Sequence, residues 1–224
     1  MKSGEKMKVK LISYSQPVDG ETNAEDLIAY CARVSNPSNQ NNTETSERLL
    51  TYLAKEKHWS PFEMVSACLE IETTRDIARQ ILRHRSFSFQ EFSQRYADPT
   101  QDLKINELRE ARLQDEKNRQ NSVEFDDIEL KLMWMKQQSE VALAARNAYT
   151  WAIENGIAKE QARAVLPEGT TQSRLYMNGT LRSWMHYIEL RSGNGTQKEH
   201  REIAQACATE LEKVFPIIKK FISN

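Results

Sequence analysis

Glycine is scarce in this chain, with seven in 224 residues. Neither the G-x-G-x-x-G dinucleotide fingerprint nor a phosphate-binding P-loop occurs, so a dinucleotide, if bound, is not held in a Rossmann fold. Cysteine is scarcer still. Cys31, Cys68 and Cys207 are far apart and odd in number, which fits reduced, buried thiols rather than a disulfide framework. No cysteine pair has zinc spacing, and none of His58, His84, His186 and His200 has a partner at H-E-x-x-H spacing. His186 and Glu189 are three apart, as in di-iron bundles, but the second copy of that motif is missing. No metal is expected. No G-x-S-x-G elbow surrounds a serine, and no cysteine has an adjacent histidine to activate it. Long apolar runs are absent, so no membrane span is expected. The first ten residues are basic and lack the apolar stretch of a signal peptide, which points to a cytoplasmic setting. Charge of one sign is missing too: 31 Lys and Arg stand against 32 Asp and Glu. That balance argues against a general nucleic-acid or membrane-surface binder, so an anion site has to be local.

What the chain does have is an apolar fraction, 39%, adequate for a core, and a length that suits one large domain or two small ones; a single domain, 1–224, is the expectation. A strand is expected over 9–14, then a helix opened by Asn23, Glu25 and Asp26. A proline-bearing polar turn covers 35–42. A helix with Leu49, Leu50 and Leu53 on one side ends near His58. Ser60-Pro61-Phe62-Glu63 has the form of a capping box on a single helical turn. Val65, Ala67, Leu69 and Ile71 then alternate with polar residues, which is a strand period. Helix spacing returns over 75–82, and 87–89 extends again. Segment 97–127 is the least hydrophobic part and reads as a polar surface segment. Asp126 or Asp127 caps a long helix that runs to Asn155 and stops at Gly156. Its face of Leu132, Met135, Ala142, Ala145, Tyr149 and Ala152 is expected to pack within the chain; its small residues would also permit close packing between subunits. A short helix over 158–165, a strand over 170–177 and a helix over 181–190 follow. Thr196 to Glu199 reads as another capping box before a last helix that ends near Pro216. The pattern is α+β: one mixed domain.

The densest chemistry lies in 83–96, where Arg83-His84-Arg85 is followed by serines, phenylalanines, Gln90, Glu91 and Ser93-Gln94-Arg95-Tyr96. Residues 75–96 hold five arginines and two acids. Guanidinium is a planar fork that pairs two-pronged with phosphate or carboxylate, so the stretch suits a phosphorylated ligand with a flat ring. The plainer reading is a charged helix end followed by a strand. Other polar groups cluster at Ser35, 58–63, 160–167 and 180–191. Arg163 stands in an otherwise apolar setting, as does Arg191.

At these residues the sequence resembles the flavin-dependent thymidylate synthases. The family's R-H-R, seven residues, S, one residue, R reads here as Arg83-His84-Arg85, then Ser93 and Arg95. In order along the chain, Ala32-Arg33-Val34-Ser35, His58-Trp59-Ser60-Pro61-Phe62-Glu63, Arg163-Ala164-Val165-Leu166-Pro167 and the helix from Leu181 to Arg191 are similar to further family motifs. The resemblance implies a central, mostly antiparallel sheet with several helices, assembled as a homotetramer whose active sites lie between subunits. It implies methylation of dUMP to dTMP, with 5,10-methylenetetrahydrofolate as carbon donor and FAD, reduced by NADPH or NADH, as hydride carrier. By position, Gln80, Ile81, Leu82, Arg83, Glu91, Phe92, Ser93, Gln94, Arg95, Arg163 and Arg191 would hold the nucleotide. Ser60, Arg83, His84, Arg85, Glu91, Thr180, Leu181, Arg182 and His186 would hold the flavin, bordered by Ser35 and His58. Arg191 would be catalytic, at the uracil edge; Ser93, with no partnered base, is assigned to binding. Thr180, His186 and Gly195 depart from residues common in the family. A competing class is a non-catalytic RNA-binding module using Arg83 to Arg95 as a basic, aromatic patch.

Overall fold

The alternation of Val65, Ala67, Leu69 and Ile71 sets the middle of the molecule. All four side chains are buried, and the strand that carries the last three has neighbours on both sides. The computed structural model describes residues 8–20, 22–103 and 107–221. In chain order, β1 (Lys8–Tyr14) is followed by α1 (Ala24–Ala32) and α2 (Ser46–Lys55). Then come β2 (Ser66–Thr74), α3 (Arg75–Ile81), β3 (Ser88–Glu91) and the one-turn α4 (Pro99–Asp102). A hairpin of β4 (Leu113–Gln114) and β5 (Ser122–Val123) leads into α5 (Ile128–Glu154). Then follow α6 (Lys159–Ala162), β6 (Gln172–Thr180), α7 (Leu181–Arg191), α8 (Lys198–Glu212) and a 3-10 helix over Pro216–Phe221.

The main sheet has the order β1-β2-β6-β3, and each of its pairings is antiparallel. The β2–β6 pairing is continuous from Ser66 opposite Thr180 to Thr74 opposite Gln172. One face of the sheet presents Ala67, Leu69, Ile71, Leu175 and Met177 to the core. The other face is polar. There the guanidinium of Arg174 donates to Glu72, and the Tyr176 hydroxyl donates to Glu70 at 2.6 Å. These are cross-strand pairs directly opposite one another in register. The core is closed by α1, α2, α3, α7 and α8, through Ile28, Leu50, Ile77, Trp184, Tyr187, Ile203 and Leu211. Buried Trp184 donates its indole N–H to the Ala67 carbonyl at 3.1 Å, tying α7 to β2.

Local signals mostly act where expected. Asn23 caps α1 by accepting from the Asp26 amide, and Asp127 caps α5 by accepting from Leu130. Gly156 takes φ +77° just beyond α5, a conformation that favours glycine. The two expected capping boxes do not form. Ser60–Glu63 is a 3-10 turn preceded by Trp59, with no side-chain cap. The turn starts at Ser60 itself, so Trp59 rather than Ser60 occupies the cap position, and Met64 and Val65 lead on into β2. At α8 the residue before the helix is Gln197, again without a side-chain cap. Thr196 turns its hydroxyl back to the Leu190 carbonyl at 3.5 Å.

Segment 97–127, residues 104–106 of which lie outside the described residues, is polar but anchored. Arg109 reaches Asp76 at 2.7 Å, and Arg112 pairs with Glu199. Packing of α5 within the chain is a correction to the expectation. Only Gln138, Ala142, Tyr149 and Ala152 of its 27 residues are buried. Tyr149 and Ala152 pack with Ala162 and Leu166. Leu132, Met135, Val141, Leu143 and Trp151 stay exposed, at 44–61% of their full area. The three thiols are unpaired. Cys207 is buried, as expected, but Cys31 and Cys68 are only half-buried. No described helix is long and apolar enough to cross a membrane.

Candidate active site

The expected site residues fall into three groups on this chain. The first lies where the end of α3 meets α7 and α8. Past Ile81 the chain turns through 82–87, and His84 falls against the last turn of α7. Arg191 Nε donates to His84 Nε2 at 2.9 Å. The imidazole also meets the edge of Tyr187, with ring centroids 5.0 Å apart. Burial first, then the Arg191 and Arg83 charges, push the His84 pKa down to about 4. It is therefore neutral at physiological pH, and its lone pair on Nε2 is what holds Arg191. Gln80 sits nearby, with its amide oxygen 3.3 Å from His200 Nδ1 and its nitrogen donating to Gln197 at 2.8 Å.

The second group gathers where α7 starts. Arg182 pairs with Glu63 of the 3-10 turn, and His186 packs edge-on against Trp59 at 4.7 Å. Thr180 spends its hydroxyl as the cap of α7, accepting from the Ser183 amide at 3.3 Å. Ser183 reaches the Ser86 carbonyl at 3.4 Å, which pins 83–87 over α7. Ser60 is exposed beside this group, and Ser35 and His58 are exposed as well.

The third group is the far half of the arginine-rich stretch, docked on α6. Arg95 pairs with Glu160 at 3.4 Å, its guanidinium 5.9 Å from the Tyr96 ring centre. The Tyr96 carbonyl accepts from Lys159. Arg163, one residue past α6, makes no side-chain hydrogen bond or ion pair among the described residues. Gln94 is 3% exposed, and its amide nitrogen is buried without a partner.

Some expected residues are placed otherwise. Ile81 and Leu181 are fully buried in the core, so only their backbone is available to a ligand. Leu82 and Phe92 are half-buried. Glu91 accepts from Ser173 at 2.8 Å and lies 3.7 Å from Arg75, so its carboxylate is already engaged with β6 and α3.

Sequence reasoning missed a buried polar chain behind the first group: Tyr187, His200, Gln197, Glu199, Arg109 and Arg112. Two of its members are nearly inaccessible, His200 at 0% and Tyr187 at 1% exposed. The signal was present. His200 continues the apolar face of α8 that runs through Ile203, Cys207 and Leu211, and a histidine in such a stripe needs partners.

The fold and the groups together define an α+β enzyme for ligands that carry phosphate and a planar ring. Arg83 and Arg85, exposed and without an ion pair among the described residues, and the orphaned Gln94 amide supply the donors such ligands require. A family model described as "Thymidylate synthase complementing protein" matches residues 10–217. The chain belongs to this family, that of the flavin-dependent thymidylate synthases. It is 50% identical over 216 residues to the "Flavin-dependent thymidylate synthase" of Synechocystis sp., covering 95% of this chain and 97% of that one. It is 49% identical over 215 residues to the "Probable flavin-dependent thymidylate synthase" of Paramecium bursaria Chlorella virus 1, covering 96% and 98%. Among solved structures, the UMP/dUMP methylase PolB of Streptomyces cacaoi, bound with 5-Br dUMP, superposes with a TM-score of 0.76 at 25% identity. That match covers 96% of this chain and 93% of the methylase. The RNA-binding alternative receives no support.

Proposed function

We propose that the protein converts dUMP to dTMP by reductive methylation, with 5,10-methylenetetrahydrofolate as the one-carbon donor and NADPH as the source of reducing equivalents. The observation that carries this reading beyond family membership is the docking of Arg191 on a neutral His84. Using Nε for His84 leaves the two terminal amino groups of Arg191 without a protein partner among the described residues. A guanidinium fixed in this way can face a uracil edge and stabilise negative charge as the ring is activated. Were His84 charged, it would offer an N–H to Arg191 and repel it; burial keeps that from happening.

The remaining roles follow from placement and donor type. Arg95 and Arg163 suit the nucleotide phosphate, by charge-assisted pairing. Ser93 and the buried Gln94 amide line the same stretch. Ser93 has no histidine or carboxylate bonded to it among the described residues, which suits holding a ligand better than attacking one. Arg83, His84, Arg85, Ser60, Arg182 and His186 form the flavin side, where Arg182 keeps its place through Glu63. The reduced flavin, when bound, supplies the hydride that completes the methyl group.

Nucleotide-side residues are divided between the Gln80–Arg191 group and the Arg95–Arg163 group. The exposed apolar length of α5 is unusual for a lone chain. Both features support a homotetramer in which facing chains complete each site, with α5 in the subunit contact.

The test is direct. The purified protein should be yellow, release flavin on denaturation and form thymidylate only when methylenetetrahydrofolate and a reductant are both present. A colourless protein that forms no thymidylate would end the reading. Arg191→Ala should keep its flavin and lose turnover; normal turnover in that variant removes Arg191 from the mechanism.

A further inference from the structure

Behind Gln80 runs a row of side chains whose hydrogen bonds all point one way. Glu199, at the start of α8, is its fixed end. Burial pushes the Glu199 carboxyl up. Its own backbone N–H, Arg109, Arg112 and Gln197 outweigh that and hold it below the usual carboxylate range. An ionised carboxylate only accepts, so the Gln197 group 2.9 Å from it is the amide nitrogen. The Gln197 oxygen then faces Gln80 and accepts from its nitrogen at 2.8 Å. That turns the Gln80 oxygen toward His200 Nδ1, 3.3 Å away, which has to carry the ring proton. The lone pair is left on His200 Nε2, 3.1 Å from the Tyr187 hydroxyl, which donates to it. One charge at one end thus decides two amide orientations and one imidazole tautomer.

From this geometry we infer that His200 is a positioning residue for the nucleotide site: it locks the amide of Gln80 in a single orientation. The inference rests on the reading that Gln80 belongs to that site. With His200 and Gln197 engaged, Gln80 retains one N–H and one oxygen lone pair for a ligand, each on a known side. A uracil edge alternates acceptors and donors, so a flipped amide would meet it with the wrong group. The chain supplies this discrimination without His200 touching the ligand. The same end of α8 is held from segment 97–127 through Arg109 and Arg112, so the polar surface segment reaches the site through Glu199.

The test compares flavin-loaded variants for their KM for dUMP, their kcat and their flavin absorption spectrum. Gln80→Ala should raise KM. His200→Leu fits the apolar stripe of α8 and should leave the flavin spectrum as in the parent. It should raise KM by about tenfold, the scale of one misdirected amide hydrogen bond, with a smaller change in kcat. His200→Gln offers a donor and an acceptor in the same sense and should recover most of the loss. Gln197→Met breaks the row from its other side and should repeat the KM effect, which keeps the inference testable should His200→Leu not fold. An unchanged KM in His200→Leu or Gln197→Met, beside a raised KM in Gln80→Ala, overturns the inference alone. An unchanged KM in Gln80→Ala removes Gln80 from the nucleotide site and overturns the reading beneath it.

Discussion

Gly179 sits near the end of β6, directly under Phe87, and a single methyl there tests the packing of the whole arginine-rich stretch. A Cβ added at Gly179 would lie 2.4 Å from Phe87 Cδ1 and 2.6 Å from Cε1. Carbon atoms pack best about 3.5–4.0 Å apart, so the ring has to retreat by roughly 1 Å. It has little room. Phe87 is edge-on to Trp184 at 4.8 Å, and Tyr187 lies 6.0 Å away. Overpacking of this kind costs about 1–3 kcal/mol. Replacing a strand glycine returns about 0.5–1 kcal/mol of chain entropy. The net expectation for Gly179→Ala is a loss of about 1–2 kcal/mol. Urea unfolding is the assay, at fixed protein and flavin concentrations, because ligand and self-association both raise apparent stability. The displaced ring follows His84 by three residues, so turnover should fall as well. Phe87→Leu should relieve the clash, giving a favourable coupling of at least about 0.5 kcal/mol in the double variant. Gly179→Ala as stable as the parent, or more stable as strand entropy alone would make it, refutes the argument.

Two further expectations concern protons and assembly. His84 and His200 have folded pKa values lowered to about 4 and about 3, by burial first. The Arg191 charge comes next, and then Arg83 for His84 and His84 for His200. Between the unfolded value near 6.5 and these folded values the unfolded chain binds more protons. Stability should therefore fall as the pH drops from 6.5 toward 3, each group adding up to about 1.4 kcal/mol per pH unit, with no contribution from them above 6.5. His200→Leu should flatten that slope in a pH series of unfolding curves; an unchanged slope would show that His200 does not titrate this way. On α5, Leu143→Glu or Trp151→Glu alters only exposed positions of the single chain and should change its folding by within about 0.5 kcal/mol. Either variant should yield a smaller species in sedimentation and lose activity with it. Retention of the parent's assembly and activity in both would exclude this face as the contact.

The elements were legible wherever a signal was local. The β2 alternation, the caps at Asn23 and Asp127 and the stop at Gly156 each depend on residues within one turn of chain. The misreadings are of a different kind. Ser60 and Thr196 have capping composition, but the chain geometry beyond them, a four-residue turn and a tight bend, leaves their hydroxyls elsewhere. Glu91 is expected at the site by its place between Arg85 and Ser93, and its partners Ser173 and Arg75, which come from other elements of the fold, could not be read from that place. The β4–β5 hairpin has two residues per strand, too few for a period. His200 shows the limit most clearly. Its helical face is readable from α8, but its partners Gln80 and Tyr187 belong to α3 and α7, and no spacing rule joins them. The solvent-facing apolar stripe of α5 has the same cause, since periodicity marks a face without saying what covers it.

The β2–β6 pairing also orders events in time. Ser66 meets Thr180, and β3 finds its only neighbour among the described residues in β6. A chain leaving the ribosome has therefore made every arginine of 75–95 long before the strand that pairs with β2 and β3 exists. Such distant pairing is slow to nucleate, and half-made domains of this size expose sticky edges meanwhile. The local excess of positive charge repels like segments in that interval. Once β6 closes the gap, α7 follows without a linker and brings Arg191 to His84, so that contact can form only after β6 has been made.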